Sequence, residues 1–545
     1  MKTSIPPVLI TFALVFFALV QDTQAVTPPP DGGYPGGNTA EGISALFSLS
    51  GGFYNTAVGI YSLLSLTDGS FNTAIGAGTL LVNTADENTA TGAGALLSNG
   101  TGGFNTANGA FALFSNTEGS GNTATGVQAL FSNTEGGLNT ANGDGALFLN
   151  TTGADNTANG ADALFSNTTG NANTADGYSA LFSNTTGNAN TAYGAFALFT
   201  NAGDGNTADG AYSLHNNATG TDNTAVGENA LYGNTSASES TAIGWNALGT
   251  NNADGNTAVG FQALQFNTIG DQNTALGHLA LFANGTGSSN TAVGASALNN
   301  STGGANTADG ALALFNNTAG NLNTALGAAA LYNNITGSNN IAIGEEAGYN
   351  QTTGSGNIVL GQGAGGNIIG ANNVICIGTV GNDVNDSCYI GNIFGATSSG
   401  GTAVFVNSNG RLGTATSSRR FKEEIKPMQG ASEDLFALKP VTFYYKKHID
   451  SQRIPQFGLV AEDVEKVNRD LVVRDEGGKP YSVRYDQVNA MLLNEFLKEH
   501  RKVEEQGATI AKQQKQIDAL TAGLQKVNAR LEMSRPAPQV AESNR

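Results

Sequence analysis

The sequence predicts a mainly β protein: a long parallel β-solenoid with coils of about 17 residues, then a small α+β domain and a C-terminal coiled coil. Three observations predict this fold class. A short motif ending in glycine recurs at steps of 16 or 17 residues through most of the chain. The composition changes abruptly near Ser417, and apolar residues recur at steps of seven close to the C-terminus.

The composition limits the classes of function. The 545 residues include 74 glycines, and 40% are hydrophobic, which is not the composition of a disordered chain. The net charge of −19 argues against binding nucleic acid through its phosphates. Between Val26 and Gly410 there is no lysine or arginine, whereas basic residues are frequent from Ser417 onward. We therefore place a domain boundary near Ser417.

The N-terminus has the pattern of a secretory signal peptide. Lys2 supplies a positive charge, and an apolar run at Val8–Val20 precedes the small residues Thr23 and Ala25. We expect cleavage after Ala25 and a secreted or cell-surface protein with no membrane span in the mature chain. The alternative is a membrane anchor, but the run is shorter than the roughly 20 residues that a span requires.

The repeat array is expected at residues 38–400, after a linker at residues 26–37. In one coil, Ala107 lies two residues before Gly109 and Leu113 lies four residues after it, and most coils share this spacing. Because neighbouring residues in a strand face opposite sides, the alanine and the leucine should point into a narrow interior. The variable residue before the glycine, here Asn108, should face outward, or face a partner chain in the coils where it is apolar.

Several features favour a solenoid over helices. Each repeat is too short for a helix pair, and glycine and asparagine weaken helices. Short apolar segments bounded by Asn-Thr-Thr-Gly or Asn-Thr-Glu-Gly are typical of strands joined by turns. Stacked coils would pair each strand with its copies at a rise of about 4.8 Å. Asparagines in the same slot of successive coils can then form a ladder of side-chain amides.

Later coils add a family resemblance that covers the array only. The segments Asn340–Gly344 and Asn357–Gly361 resemble the head repeats of trimeric autotransporter adhesins, which form parallel β-rolls. No cofactor or metal is expected in the array, because its acids do not follow the calcium-binding repeat pattern of solenoids. Cys376 and Cys388 occupy inward and outward slots, which makes a disulfide awkward and leaves their pairing open.

Four blocks near the C-terminus, Ser417–Pro427, Leu438–Tyr445, Phe457–Val464 and Tyr481–Asp486, carry a second resemblance. In this order they resemble the intramolecular chaperone domain of peptidase family S74, found at the ends of phage tail spikes and endosialidases. The resemblance implies that this domain, expected at residues 417–495 after a connecting β segment at 401–416, assembles three copies of the preceding fibre. It also implies that the domain then cuts itself off.

The resemblance further implies the catalytic residues. Ser417 would be the nucleophile and Lys422 the base of a single-turnover serine endopeptidase that cuts the Thr416–Ser417 bond. Ser418 stands where the family usually has aspartate. Chemically, a serine needs a base, and desolvation or a nearby cation such as Arg419 lowers the pKa of a lysine enough for it to serve. The alternative is that Ser417 caps a helix and Lys422 is a solvated charge.

A coiled coil is expected at residues 496–533, before a disordered tail at 534–545. The residues that recur at steps of seven are Phe496, Val503, Ile510, Ile517, Leu524 and Leu531. Leu520 and Val527 occupy the alternate d positions, and glutamines in other d positions can set the register. The alternative is a single amphipathic helix that packs on its own domain.

These features predict a homotrimeric fibre whose main partner is itself and whose array is adhesive or structural, with a surface glycan or other host-surface ligand as a possible partner. No nucleic acid partner is expected. The alternative is a ligand-binding solenoid, for ice or glycans, with a trimerisation domain that does not cleave. In that reading Thr56, Thr73 and Thr106 belong to one regular outward column.

Overall fold

The chain divides into two units in the computed structural model, which describes residues 34–407 and 409–535. The first unit ends at Ala396 and the second begins at Thr397. The predicted signal peptide, with its cleavage after Ala25, lies outside the described residues, as do all but the first two residues of the tail predicted at 534–545. Among the helices of the described ranges, none combines the length and the hydrophobicity that a membrane crossing requires.

A strand of three residues recurs in each coil of the first unit. The strands are β1 Thr39–Glu41, β2 Thr56–Val58, β3 Thr73–Ile75, β4 Thr89–Thr91, β5 Thr106–Asn108, β6 Thr123–Thr125, β7 Thr140–Asn142, β8 Thr157–Asn159, β9 Thr174–Asp176, β10 Thr191–Tyr193, β11 Thr207–Asp209, β12 Thr224–Val226, β13 Thr241–Ile243, β14 Thr257–Val259, β15 Thr274–Leu276, β16 Thr291–Val293, β17 Thr307–Asp309, β18 Thr324–Leu326, β19 Ile341–Ile343, β20 Ile358–Leu360, β21 Ile375–Ile377 and β22 Cys388–Ile390. Each strand pairs in parallel with the strand of the next coil, as β5 does with β6, where threonine lies opposite threonine and alanine opposite alanine. The predicted parallel β-solenoid is confirmed.

Alanine and leucine fill the interior of the solenoid. Ala107 at the centre of β5, and Ala112 and Leu113 beyond the next glycine, are fully buried, and the same slots are buried in most other coils. Thr106 and Asn108, on either side of Ala107, are exposed. This alternation confirms the predicted inward and outward slots. Because one coil buries so little apolar surface, its stability depends on the coils stacked on it.

The apolar segment after the glycine that follows each strand forms tight turns and not a second strand. Gly109 has a φ of 150°, Phe111 of 60° and Leu113 of 51°. A left-handed backbone is unfavourable for phenylalanine and leucine. Stacking fixes it here, because the Phe111 N–H donates to the carbonyl of Ala93 at 3.0 Å and the Leu113 N–H donates to the carbonyl of Ala129 at 2.9 Å. Hydrogen bonds to the coils on both sides therefore override the local backbone preference.

Buried asparagines form two columns along the solenoid. In one column, Asn116 Nδ2 donates to Asn99 Oδ1 at 2.6 Å, and in the other, Asn122 Nδ2 donates to Asn105 Oδ1 at 3.2 Å. The same Asn116 amide also donates to the carbonyl of Gly119 at 2.9 Å. Most asparagines of these columns thus pair with polar groups of their own coil and of a neighbouring coil, whereas the buried Oδ1 atoms of Asn234, Asn284 and Asn334 have no hydrogen-bond partner among the described residues. The predicted amide ladder is confirmed.

The last coils contain the two cysteines. Cys376 lies at the centre of β21 and is buried, whereas Cys388 begins β22 and is exposed, and both thiols are free. Cys388 pairs with Ile375 in the strand register, so the two thiols lie on opposite faces. In the turn between these strands, the Asp383 carboxylate accepts hydrogen bonds from the backbone N–H groups of residues 369–371 at 2.7–3.0 Å. The bond from the Ile369 N–H is the main reason that the pKa of Asp383 lies below its ordinary value.

The second unit is a small α+β domain followed by a long helix. Its antiparallel strand pairs are β23 Val404–Val406 with β24 Leu412–Thr414, β25 Val441–Phe443 with β26 Gln456–Gly458, and β27 Val472–Arg474 with β28 Pro480–Val483. The α-helices are α1 Ala461–Val467 and α2 Tyr485–Met533, and shorter 3₁₀ helices span Arg419–Phe421, Gln429–Ala437 and Arg469–Leu471. The long helix that the sequence predicts after β28 is therefore present.

A small apolar core organises this unit. Val464 of α1, Val472 of β27, Val483 of β28 and Met491 of α2 are buried together, with Leu471 beside them. Met491 lies in the first turns of α2, so the start of this helix packs against the domain. Beyond residue 496 the apolar side chains of α2 lie in solvent.

Candidate functional site

The predicted dyad of Ser417 and Lys422 lies in an exposed segment. It follows β24, which ends at Thr414, and it flanks the 3₁₀ helix Arg419–Phe421. Both side chains are exposed, and neither makes a hydrogen bond or an ion pair with another of the described residues. The Lys422 backbone N–H donates to the carbonyl of Arg419 at 3.1 Å and closes the helix. A single chain therefore does not join the two side chains into a catalytic pair.

The neighbours of the dyad do not form a site around it either. Ser418, not Ser417, occupies the N-cap position of the 3₁₀ helix, and its side chain makes no capping hydrogen bond. This position contradicts the alternative that Ser417 caps a helix. The Arg420 guanidinium lies 4.6 Å from the centre of the Phe421 ring, in a cation–π contact.

A second serine and a second lysine meet in a buried cluster that the sequence analysis missed. Ser432 in the 3₁₀ helix Gln429–Ala437 is fully buried, and its hydroxyl lies 2.5 Å from Glu495 Oε1. Asn494 Nδ2 donates to Ser432 Oγ at 2.6 Å, and Lys498 Nζ donates to Glu495 Oε1 at 2.6 Å. Lys498 Nζ also lies 3.5 Å from Ser432 Oγ and 3.5 Å from Glu433 Oε1. The cluster joins the 3₁₀ helix to α2.

The charges in this cluster argue against catalysis. The hydrogen bond to Glu495 raises the pKa of Lys498, and the hydrogen bond from Lys498 lowers the pKa of Glu495, with a further contribution from Ser432. A lysine that holds its proton more firmly cannot take one from a serine. The cluster is therefore a structural contact. The spacing of Glu495 and Lys498 on a helix was visible in the sequence, but nothing in the sequence linked them to a serine 63 residues away.

Helix α2 presents a long apolar seam to solvent. The exposed seam comprises Phe496, Val503, Ile510, Ile517, Leu520, Leu524, Val527 and Leu531, each between 54% and 68% exposed. These are the residues that the heptad pattern placed at its a and d positions. Among the residues that the structure describes, no other element covers the seam, so the alternative of a helix packed along its length on its own domain is wrong. Seams of this kind normally pack against other helices.

The outward faces of the array change along its length. Every strand from β1 to β18 begins with an exposed or half-buried threonine, so the predicted threonine column is present. The second outward column varies, and it includes the acids Asp176 and Asp209. From β19 to β21 both columns are aliphatic, with Ile341 and Ile343 in β19 exposed to 39% and 40%. We call the outward side chains of β19–β21 the aliphatic face.

The two histidines of the array lie in stacks of aromatic rings. The His215 ring lies 5.2 Å from both the Phe199 and the Tyr232 rings, and the His278 ring lies 5.4 Å from the Phe261 ring. Among the described residues, no group of three or more histidine, cysteine, aspartate or glutamate side chains is placed to hold a metal ion. These histidines are accounted for by stacking between coils.

Comparison with known proteins identifies the segment that begins at the predicted nucleophile. Residues 417–473 match the family model of peptidase S74, described as the chaperone of endosialidase. The chain carries an S74 chaperone segment after a long repeat array. This segment includes Ser417, Lys422 and the buried Ser432, and it ends before α2 begins. The S74 resemblance is confirmed, with its first three sequence blocks inside the match and the fourth, Tyr481–Asp486, beyond it, whereas the resemblance of the array to adhesin head repeats stays a prediction. No curated protein and no solved structure matches the chain.

Proposed function

We propose that this chain is one of three identical chains of a secreted fibre. The array forms the fibre, the S74 segment and α2 assemble the three copies, and the S74 segment then cuts the Thr416–Ser417 bond. The observation that carries the proposal is the S74 match at residues 417–473, directly after an array of stacked coils.

The exposed seam of α2 supports assembly. Its residues recur at steps of seven, which keeps one apolar stripe facing a partner helix. Among them, Ile510 and Ile517 are 63% and 54% exposed in a single chain, a costly arrangement for aliphatic side chains in water. Three helices packed along this seam would bury the stripe.

The aliphatic face offers a second contact between the copies. It lies at the end of the array nearest to the S74 segment in the sequence, since β22 ends at Ile390. In earlier coils, aligned copies would bring the same acid together three times, for example at Asp209, and like charges repel. We therefore place contacts between the arrays at the aliphatic face rather than along their whole length.

Assembly at the C-terminal end answers a physical problem of the array. Coils that are nearly identical pair almost equally well in several alignments, so the array sets its own register poorly. A helical contact at one end would hold three chains in the same register, and the arrays could then stack upward from it.

The proposed cleavage is an acyl transfer followed by hydrolysis. Ser417 Oγ attacks the carbonyl carbon of Thr416, and the neutral amine of Lys422 takes the hydroxyl proton. The bond from this carbon to the Ser417 nitrogen breaks, the nitrogen takes the proton back from Lys422, and an ester joins the two parts. Water then hydrolyses the ester, which leaves a carboxylate on Thr416 and a free amino group on Ser417.

Assembly would have to precede this reaction. Water stabilises the charged form of an exposed lysine, and a charged lysine is no base. Both Ser417 and Lys422 are exposed in a single chain. Contacts between copies that cover this segment would remove the water and bring the two side chains together, which would couple cleavage to the finished trimer.

Cleavage can be tested on a denaturing gel. The chain from Val26 onward should give two bands. Mass spectrometry should show that one fragment ends at Thr416 and that the other begins at Ser417. Ser417→Ala and Lys422→Ala should give one band of full length, and Ser418→Ala should still cleave. A single band from the parent chain contradicts the proteolysis. Light scattering on Ser417→Ala tests assembly separately, and a folded monomer contradicts it.

The threonine column supports a second candidate, an ice-binding array. Threonines repeat on one face at the spacing of the strands from β1 to β18. Against this, the second outward column varies, so the face lacks a second regular column. A thermal-hysteresis measurement on the mature protein tests the idea, and the absence of hysteresis removes it.

A further inference from the structure

A groove runs along one side of the array near its C-terminal end. Its cavity volume is about 620 Å³, which lies in the range of sites that bind small molecules. Residues from two positions of four successive coils line it. The first position is asparagine in each coil, at Asn316, Asn333, Asn350 and Asn367. The second position lies two residues later in the sequence and includes Ile335 and Ile369. We call this the asparagine groove.

The asparagine groove has a fixed period, because its coils stack in register. The rings of Phe315, Tyr332 and Tyr349, each directly before one of the asparagines, stack with centres 5.3 and 5.1 Å apart. Three coil steps give the groove a length of roughly 15 Å from the spacing of paired strands. The ring stack beside the asparagines and the backbone hydrogen bonds that join residues 318, 335 and 352 of successive coils fix the lining, so the groove exists before any ligand binds.

Some polar side-chain atoms of the groove already form hydrogen bonds within the protein, and others are available to bind a ligand. Asn316 Nδ2 donates to Asn333 Oδ1 at 3.3 Å, and Asn350 Nδ2 donates to the carbonyl of Gly366 at 2.8 Å. These bonds fix which way the amides point. Within the described residues, Asn333 Nδ2 and the Oδ1 atoms of Asn316 and Asn350 have no partner, so donors and acceptors both remain for a ligand.

The charge of the array excludes ionic ligands from this groove. No lysine or arginine occurs between Val26 and Gly410, so an anionic chain would find no cation there. The groove is not lined by any acid either, so it offers no site for a cation. Neutral hydroxyl groups match free amides, and the isoleucines match the apolar faces of sugar rings.

The period of the groove also discriminates between neutral chains. An extended peptide repeats its side chains on one face at about 6.7 Å, out of step with the coils. The sugars of an extended β-1,4-linked polysaccharide repeat close to the coil spacing, so each ring could meet one asparagine. A coiled α-linked chain cannot follow a straight groove.

We propose that the asparagine groove binds a linear, neutral, β-1,4-linked polysaccharide along about three sugars, the number of coil steps that it spans. This proposal deepens the adhesive role that the sequence predicts for the array and rests on that role, but it needs neither cleavage nor assembly. Hydroxyl groups of the sugars form hydrogen bonds with the side-chain amides of Asn333 and Asn350, and the apolar faces of the sugar rings pack on Ile335.

Isothermal calorimetry on the mature chain tests this proposal with hexasaccharides. The probes are β-1,4-linked hexamers of glucose, mannose and N-acetylglucosamine, α-1,4-linked maltohexaose, and β-1,4-linked hexamannuronate as an anionic chain of the same length and linkage. We expect saturable binding of at least one of the three neutral β-1,4-linked hexamers, and binding at least tenfold weaker for maltohexaose and hexamannuronate.

Variants locate the binding site. Asn333→Ala together with Asn350→Ala should weaken binding at least tenfold, while Asn216→Ala, in the same slot of an earlier coil, should leave it unchanged. Unchanged thermal melting shows that the variants fold. The proposal is overturned if no neutral β-1,4-linked hexamer binds, if hexamannuronate or maltohexaose binds as well, or if the groove variants bind normally. Light scattering and gels on the same samples report assembly and cleavage independently.

Discussion

Ser432 and Glu495, 63 residues apart in the sequence, meet at 2.5 Å and fasten the S74 segment to the start of α2. Asn494 and Lys498 complete the contact from the same helix. Because α2 carries the exposed seam, this cluster connects the folding of the domain to the position of the helix proposed to assemble the fibre.

Removal of the Ser432 hydroxyl should loosen this attachment. Ser432→Ala removes the hydrogen bond that Asn494 Nδ2 donates to the hydroxyl and the one that the hydroxyl donates to Glu495. We therefore expect the free energy of unfolding of this unit to fall by about 1–3 kcal/mol. Hydrogen exchange of residues 429–437, followed by mass spectrometry, measures the loss. Ser482→Ala, at an exposed position of β28, is the matched control and should exchange like the parent. Equal protection in Ser432→Ala would contradict the role of the cluster.

The same cluster should make the second unit sensitive to acid. The pKa of Glu495 is lowered in the folded state from an ordinary value of 4.5, so the stability it contributes is present above that value. This contribution is lost as the pH falls through the lower pKa of the folded state. Exchange protection of residues 429–437 should therefore fall in acid for the parent and less steeply for Glu495→Gln. Identical acid profiles would show that Glu495 is not responsible.

The glycine column should not accept side chains. Gly160 has a φ of 132°, and a Cβ there would lie 2.5 Å from the carbonyl oxygen of Gly177 in the next coil. Gly160→Ala combines a left-handed backbone with overpacking, and we expect a cost of about 2–4 kcal/mol. Thermal unfolding followed by circular dichroism measures it. Gly285→Ala, where a Cβ would meet no atom within 4 Å, should melt like the parent.

The exposed seam of α2 predicts how assembly fails. Ile517 is 54% exposed in a single chain, and Ile517→Lys would place three charges together in a helical bundle. We expect light scattering to report monomers for this variant and trimers for the parent. Ala522→Lys, on the opposite side of the same heptad, should stay trimeric. An Ile517→Lys trimer would mean that α2 does not form the contact.

The sequence alone determined the solenoid and its slots. A step of 16 or 17 residues with fixed glycine, alanine and leucine predicts stacked coils in which Ala107 and Leu113 are buried and Thr106 is exposed, as the structure shows. It also determined the S74 segment and the long helix, because local motifs and a period of seven are properties of contiguous residues.

The tertiary structure decided what depends on contacts between distant residues. The left-handed backbone of Leu113 arises from hydrogen bonds to neighbouring coils and opposes its local preference. The cluster of Ser432 with Glu495, and the exposed state of Ser417 and Lys422, likewise depend on how separate segments pack. A sequence pattern records which residues repeat, whereas the free energy of a buried polar contact depends on partners that only the folded chain brings within hydrogen-bonding distance.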